Sequence, residues 1–219
     1  MAGTNWVELA RYVARARPDI SSSMTHWTRA SDNKTAFENL INIFNMCTII
    51  ASRPETGFIK GNQSATCFSE APVAVMARVF RIAESDQHTK RYVNWEPYGL
   101  SFVKPVIYSY YSGRPVIYFS SQEYKDNIML KGLEPALGWR VFTFDQSWSD
   151  SGTTEAIDWT HEREWRVPGN VAFGELTGLD RPLAVVRTTQ DQNELLRLFP
   201  DDNNRPIRGI LNTQDIVLC

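Results

Sequence analysis

The sequence predicts an α+β fold in one domain, with mostly antiparallel or mixed sheets flanked by helices. Three observations carry that prediction. Helical periodicity is concentrated early in the chain and short β-branched runs dominate later, which is not the alternation of a doubly wound βαβ fold. No GxGxxG or P-loop is present, so a Rossmann or nucleotide-triphosphatase fold would lack its phosphate cradle. The 219 residues, 42% hydrophobic and 22% charged, hold no repeat, low-complexity tract or convincing linker, and one substantial core follows.

Taken in order, residues 5 to 17 read as an amphipathic helix. Asn5 caps it, Trp6, Leu9, Ala10, Val13 and Ala14 form its stripe, and Pro18 follows its end. Residues 23 to 29 are a short strand that ends in polar groups. A helix opened by Asp32 or Asn33 runs to about Met46, with Phe37, Leu40, Ile41 and Phe44 at helical spacing. Residues 47 to 50 and 65 to 70 are strand-like, separated by a polar loop containing Pro54, Gly57 and Gly61. Pro72 starts a helix that reaches about Ala83, and residues 84 to 97 are a charged loop. Residues 98 to 104 form a strand, 105 to 111 a turn or short helix, 114 to 119 a strand, 121 to 136 a helix and 139 to 144 a strand. A polar loop covers 145 to 157. Residues 183 to 186 read as a buried strand and 191 to 199 as a helix.

Composition removes several function classes. A net charge of -2 excludes a wholly basic nucleic-acid coat while leaving room for a local basic cleft. Three cysteines with no CxxC, and three histidines with no metal-ligand spacing, argue against zinc and for a reducing compartment. No metal is expected. The amino terminus lacks a basic region followed by an apolar run, and no segment approaches a membrane span, so a cytoplasmic location is expected.

The densest chemistry lies in residues 158 to 169, which pack a His, two Glu, two Arg and two Trp before Pro168-Gly169. Read as a strand, it sends Trp159, His161, Arg163, Trp165 and Val167 to one face and Thr160, Glu162, Glu164 and Arg166 to the other. Two carboxylates on one face raise each other's pKa and hold a developing cation. The same row is also what a salt-bridged, solvated strand face looks like, with Arg166 neutralising the glutamates. Other strands end in reactive groups as well: His26-Trp27-Thr28, Ser69-Glu70 and Ser101-Phe102-Val103-Lys104. Were these ends to converge, they would build a cleft of His, Lys, Arg, hydroxyls, aromatics and paired carboxylates.

Four motifs, Phe68-Ser69-Glu70-Ala71-Pro72, Tyr98-Gly99-Leu100-Ser101-Phe102, Arg114-Pro115-Val116-Ile117-Tyr118 and His161 through Gly169, resemble the AbiGi-type abortive-infection proteins of bacterial phage defence. The likeness spans roughly residues 24 to 170. More distantly, the order of elements is similar to the DarT-type DNA ADP-ribosyltransferases, whose roles would fall on His26-Trp27-Thr28, the helix near Phe37 to Phe44, Lys104 and Glu164-Trp165-Arg166-Val167. The resemblance implies an ADP-ribosyltransferase-like split sheet around a nucleotide cleft, with Glu164 as the catalytic carboxylate.

Either substrate then calls for one chemistry. Cleaving an N-glycosidic bond at C1′ builds positive charge on the sugar, which a carboxylate beneath the ring stabilises. Where the DarT type has Arg, this chain has Lys104, or Arg114 in a shifted alignment. Arg grips a pyrophosphate bidentately and Lys does not. The reading is therefore a phage-defence enzyme with a glycosylase-like action on phage DNA, releasing a base from a flipped or single-stranded nucleotide. Glu164 and Glu162 are its catalytic candidates. His26, Trp27, Thr28, Ser69, Ser101, Phe102, Lys104 and Arg166 are its substrate-binding candidates. Arg78, Arg81, Lys90 and Arg91 form a candidate DNA track, equally readable as a solvated face. Trp27, Phe102, Tyr110 and Trp165 are stacking candidates or core. His26 is a substrate contact or a structural hydrogen-bonding group, and Ser69-Glu70 is a site or a helix cap. No cofactor is expected on this reading. NAD becomes the substrate on the alternative, ADP-ribosyl transfer to nucleic acid or protein. A non-enzymatic antitoxin or binding component is the third reading.

Overall fold

The computed structural model describes residues 21–31, 33–54, 59–86, 93, 95–143, 163–200 and 205–216. The expected helix at 5 to 17, the loop at 145 to 157, and Glu162, Lys90 and Arg91 lie outside them.

A mixed seven-stranded sheet organises the chain. Its strands are β1 (Ser23–Trp27), β3 (Ala65–Ser69), β4 (Gly99–Val103), β5 (Arg114–Pro115), β8 (Glu164–Pro168), β10 (Leu183–Val186) and β11 (Gly209–Asn212). They run in the order β11-β10-β4-β1-β3-β8-β5. All pairs are antiparallel except β10 with β11. Two ribbons stand apart: β2 (Thr48–Ile49) with β9 (Val171–Ala172), and β6 (Ile117–Phe119) in parallel with β7 (Val141–Thr143).

Helices cover both faces of the sheet. On one, α1 (Ala36–Met46) and α5 (Thr189–Leu198) deliver Leu40, Phe44 and Leu195 to a core with Met24, Phe68, Leu100, Phe102, Trp165 and Val167. On the other, α2 (Val73–Ser85) lays Met76 and Phe80 against Trp27 and Val185. Helices on both faces fit the sequence of β10, whose Ala184, Val185 and Val186 are all buried.

Several boundaries move for physical reasons. The cap of α1 is Thr35, not Asp32 or Asn33. Its hydroxyl accepts from the Glu38 N–H while the Glu38 carboxylate accepts from the Thr35 N–H, a capping box. The strand expected at 114 to 119 divides at Val116, whose N–H donates to the Glu164 carbonyl. Arg114–Pro115 then pairs with β8, and Ile117–Phe119 with β7. The helix expected over 121 to 136 breaks at Gly132, where φ is +66°. It leaves α3 (Ser121–Tyr124) with a π-helical turn, and α4 (Glu134–Leu137) with Pro135 in its first turn. Residues 105 to 111 become a π-helical turn over Val106–Tyr110.

Candidate functional site

Of the alternation expected over residues 158 to 167, the part from Glu164 on is present; β8 begins there because Arg163 takes φ +47°, which breaks the extended run, and residues 158 to 162 lie outside the described residues. Trp165 and Val167 enter the core, and Glu164 and Arg166 point to the opposite face. That opposite face is not solvated. Arg166 is 1% exposed, and the Glu164 side chain 12%. The pair is forked, with Nε to Oε1 at 2.8 Å and Nη2 to Oε2 at 3.3 Å. Arg166 Nη1 also donates to the carbonyls of Trp139 and Val141, at 3.1 and 3.0 Å. Burial works against the guanidinium charge, but Glu164 beside it more than compensates, and the Arg166 pKa moves up. Its planar donors suit this arrangement as a lysine ammonium would not.

Cys67 faces Arg166 across the β3–β8 pair. Burial pushes its thiol well up, the Glu164 charge adds to that, and Arg166 only partly opposes it. Cys67 is an inert thiol rather than a nucleophile.

The strand registers extend the site sideways. Glu164 faces Ser69, Ser69 faces Thr25, and Thr25 faces Ser101. Directly opposed residues share a face, so one row crosses four strands as carboxylate, hydroxyl, hydroxyl, hydroxyl. Thr25, Ser69 and Ser101 are at most 3% exposed. Thr25 Oγ1 donates to Ser101 Oγ at 3.2 Å, and Ser69 Oγ accepts from the Ala71 N–H at 3.2 Å. That bond precedes α2, whose cap, Pro72, has no side-chain bond. Thr25 is the member of this row that sequence reasoning missed. Its alternation with Trp27 was the available signal.

Lys104 and Glu70 form a second ion pair near the same end of the sheet, on the core face. Trp165 Nε1 donates to Glu70 Oε2 at 2.8 Å, and the Lys104 ammonium sits 4.9 Å from the Trp165 ring centroid. Lys104 is thus engaged by a carboxylate and an indole.

The remaining candidates separate. His26 is on the core face, its ring 5.9 Å from that of Phe68, and its Nδ1 lies 2.9 Å from the Cys67 carbonyl, to which it donates. Burial lowers the His26 pKa, partly offset by that bond, so the imidazole is neutral at neutral pH. Thr28 donates to the Ala36 carbonyl at 2.9 Å and lies 3.2 Å from that of Tyr98, tying β1 to α1. Phe102 and Trp165 are core residues. Trp27 packs edge-on against Phe80 at 5.0 Å, and its buried indole N–H has no acceptor among the described residues. Arg78 and Arg81 are exposed on α2. Of the stacking candidates only Tyr110 is open, at 63% exposure. Tyr108 is open too, with the Arg114 guanidinium 4.2 Å from its ring centroid. The Tyr108-x-Tyr110 spacing just after Lys104 was the signal for it.

Among the described residues, no three His, Cys, Asp or Glu side chains gather as a metal site. Nor is any helix among them long and apolar enough to cross a membrane. No protein-family model, curated protein or solved structure matches the chain.

Proposed function

We propose that the chain is a phage-defence enzyme that cleaves an N-glycosidic bond at C1′ of a nucleotide in phage DNA, releasing the base. The observation that carries this reading is the Glu164 carboxylate. It is clamped by Arg166, 12% exposed, and set at the end of a row of buried hydroxyls. A carboxylate with a fixed orientation offers negative charge to the cation developing at C1′ with little reorganisation. The C1′–N bond breaks, the base leaves with the electron pair and takes up a proton from solvent, and a water oxygen bonds to C1′ and loses its proton to solvent. Ser69, facing Glu164, is the hydroxyl nearest in register to hold the sugar or that water. Tyr108 and Tyr110 offer exposed rings for a displaced base. The engagement of Lys104 by Glu70 and Trp165 disfavours a pyrophosphate grip, and with it NAD. An ADP-ribosyltransferase-like arrangement of the sheet belongs to this proposal too.

The test incubates the purified protein separately with phage DNA and with NAD, and resolves the products by mass spectrometry. Free base and abasic sites are expected from DNA, and no nicotinamide from NAD. Nicotinamide release would replace this reading with ADP-ribosyl transfer. If neither product forms, and Glu164→Gln and Glu162→Gln both protect cells from phage like the parent, the chain acts without catalysis.

A further inference from the structure

Three arginines meet at the edge of the sheet where Glu164 lies. Arg166 is paired with Glu164 itself. Arg114 faces Arg166 across the β5–β8 pair, and β5 ends the strand order. Arg140 comes just before β7 and reaches the same edge, where its Nη2 donates to Pro115 O at 3.1 Å. Arg114 Nη1 donates to the carbonyls of Tyr108 and Gly113 at 3.1 and 2.7 Å, and its guanidinium carbon lies 4.2 Å from the Tyr108 ring centroid. Main-chain carbonyls orient a guanidinium without matching its charge, so Arg114 and Arg140 stand in each other's field. Burial, and after it the Arg114 charge, lower the Arg140 pKa. An anion between the two would relieve that repulsion, and their fixed orientation reduces the rotamer entropy still to be lost when it binds.

The register places this pair beside the candidate carboxylate. Directly opposed residues share a face, so Arg114 lies on the face of Arg166 and Glu164. One strand spacing and two residues of rise put the Cα atoms of Arg114 and Glu164 about 8 Å apart. Arg140 is tied to the same clamp, because Arg166 Nη1 donates to the carbonyls of its two neighbours, Trp139 and Val141. Unlike the hydroxyl row, the edge is open. Arg114 and Arg140 are half-buried, and Tyr108 is exposed. A single nucleotide can therefore touch both the arginine pair and Glu164.

We propose that Arg114 and Arg140 together grip one backbone phosphate of the DNA, next to the nucleotide on which Glu164 acts. This rests on the proposed function for its choice of DNA. Planar guanidinium donors match phosphate oxygens bidentately, and phosphate contacts position a strand without reading its sequence. The pair holds the sugar in place against the carboxylate, and the Tyr108 ring keeps the Arg114 plane set for that phosphate.

The experiment is fluorescence anisotropy of the purified protein with a labelled single-stranded DNA oligonucleotide, titrated over a range of salt. Each phosphate contact on a single strand contributes about 0.7 to the slope of log affinity against log salt. Arg114→Gln and Arg140→Gln are each expected to lower the slope, and the double variant to lower it by about 0.7 in all, because both side chains serve one phosphate. Arg140→Lys keeps the charge and is expected to keep the slope. An unchanged slope in the folded double variant, checked by circular dichroism, overturns the proposal, as does a fall of about 1.4, which would mean two separate phosphates. Saturable binding of inorganic pyrophosphate that Arg140→Gln abolishes while DNA affinity stays the same overturns it too. The expected slopes without base release would fail the proposed function and uphold this pair. Base release by a double variant with the parental slope would do the reverse.

Discussion

The two faces of the central sheet are built on different terms. Phe68, Leu100, Phe102, Trp165 and Val167 meet the helices on one face as a continuous apolar layer. Glu164, Ser69, Thr25 and Ser101 cross the other face in a single row, with Arg166 and Cys67 in the next row along. The first face needs only hydrophobic residues of suitable volume. The second buries a charge pair and three hydroxyls, each of which loses stability unless it is satisfied. The apolar face is thus explained by folding alone. The polar face is explained only in part by its own bonds, and its Glu164 end is where a reaction is sought.

The comparison breaks most sharply at Arg166. Arg166→Ala strands a nearly buried Glu164 carboxylate and frees the Trp139 and Val141 carbonyls. A loss of about 3 to 5 kcal/mol in chemical denaturation is expected, as for one partner of a buried pair. Phe102→Ala, on the apolar face and 0% exposed, is expected to cost a similar 3 to 5 kcal/mol, about the usual cost of a large core cavity. The two differ on restoration. Phe102→Leu recovers much of its loss, whereas Arg166→Lys recovers little because the fork geometry goes with the guanidinium.

A smaller effect is expected within the hydroxyl row. Thr25→Val removes the donor to Ser101 in a site closed to water, at about 1 kcal/mol. The double change Thr25→Val with Ser101→Ala should cost less than the sum of the singles, since neither then leaves an unpaired hydroxyl. Full additivity in denaturant melts would show that the two hydroxyls do not interact.

The smallest effect is a pH dependence on the core face. The folded-state pKa of His26 lies below its unfolded value near 6.5. The unfolded chain therefore binds the proton first as pH falls. This contribution is fully present above about 6.5 and is lost progressively from there down to the folded pKa. The melting temperature of the parent should fall between pH 7.5 and 5 by more than that of His26→Gln. Parallel curves would mean that burial does not hold the imidazole neutral.

Sequence reading reached the apolar face more fully than the polar one. Trp165 and Val167 were legible from strict alternation, and the run at 183 to 186 from its unbroken hydrophobicity. The burial of Arg166 was not. Its acceptors are main-chain carbonyls of Trp139 and Val141, distant in sequence, and a carbonyl leaves no mark in a side-chain pattern. The hydroxyl row depends on how β8, β3, β1 and β4 align, and register between distant strands is invisible to local periodicity. Thr28 and His26 drew notice as polar groups at a strand end. The structure bonds them to the carbonyls of Ala36 and Cys67, the ordinary duty of buried polar groups.

The central claim concerns Glu164, and Glu164→Gln tests it most directly. Amide for carboxylate keeps the volume and removes the negative charge. The account predicts that a folded Glu164→Gln protein binds DNA like the parent and forms abasic sites at a rate lower by about a hundredfold or more, the loss typical of removing one electrostatic stabiliser. Abasic-site formation at the parental rate would contradict it.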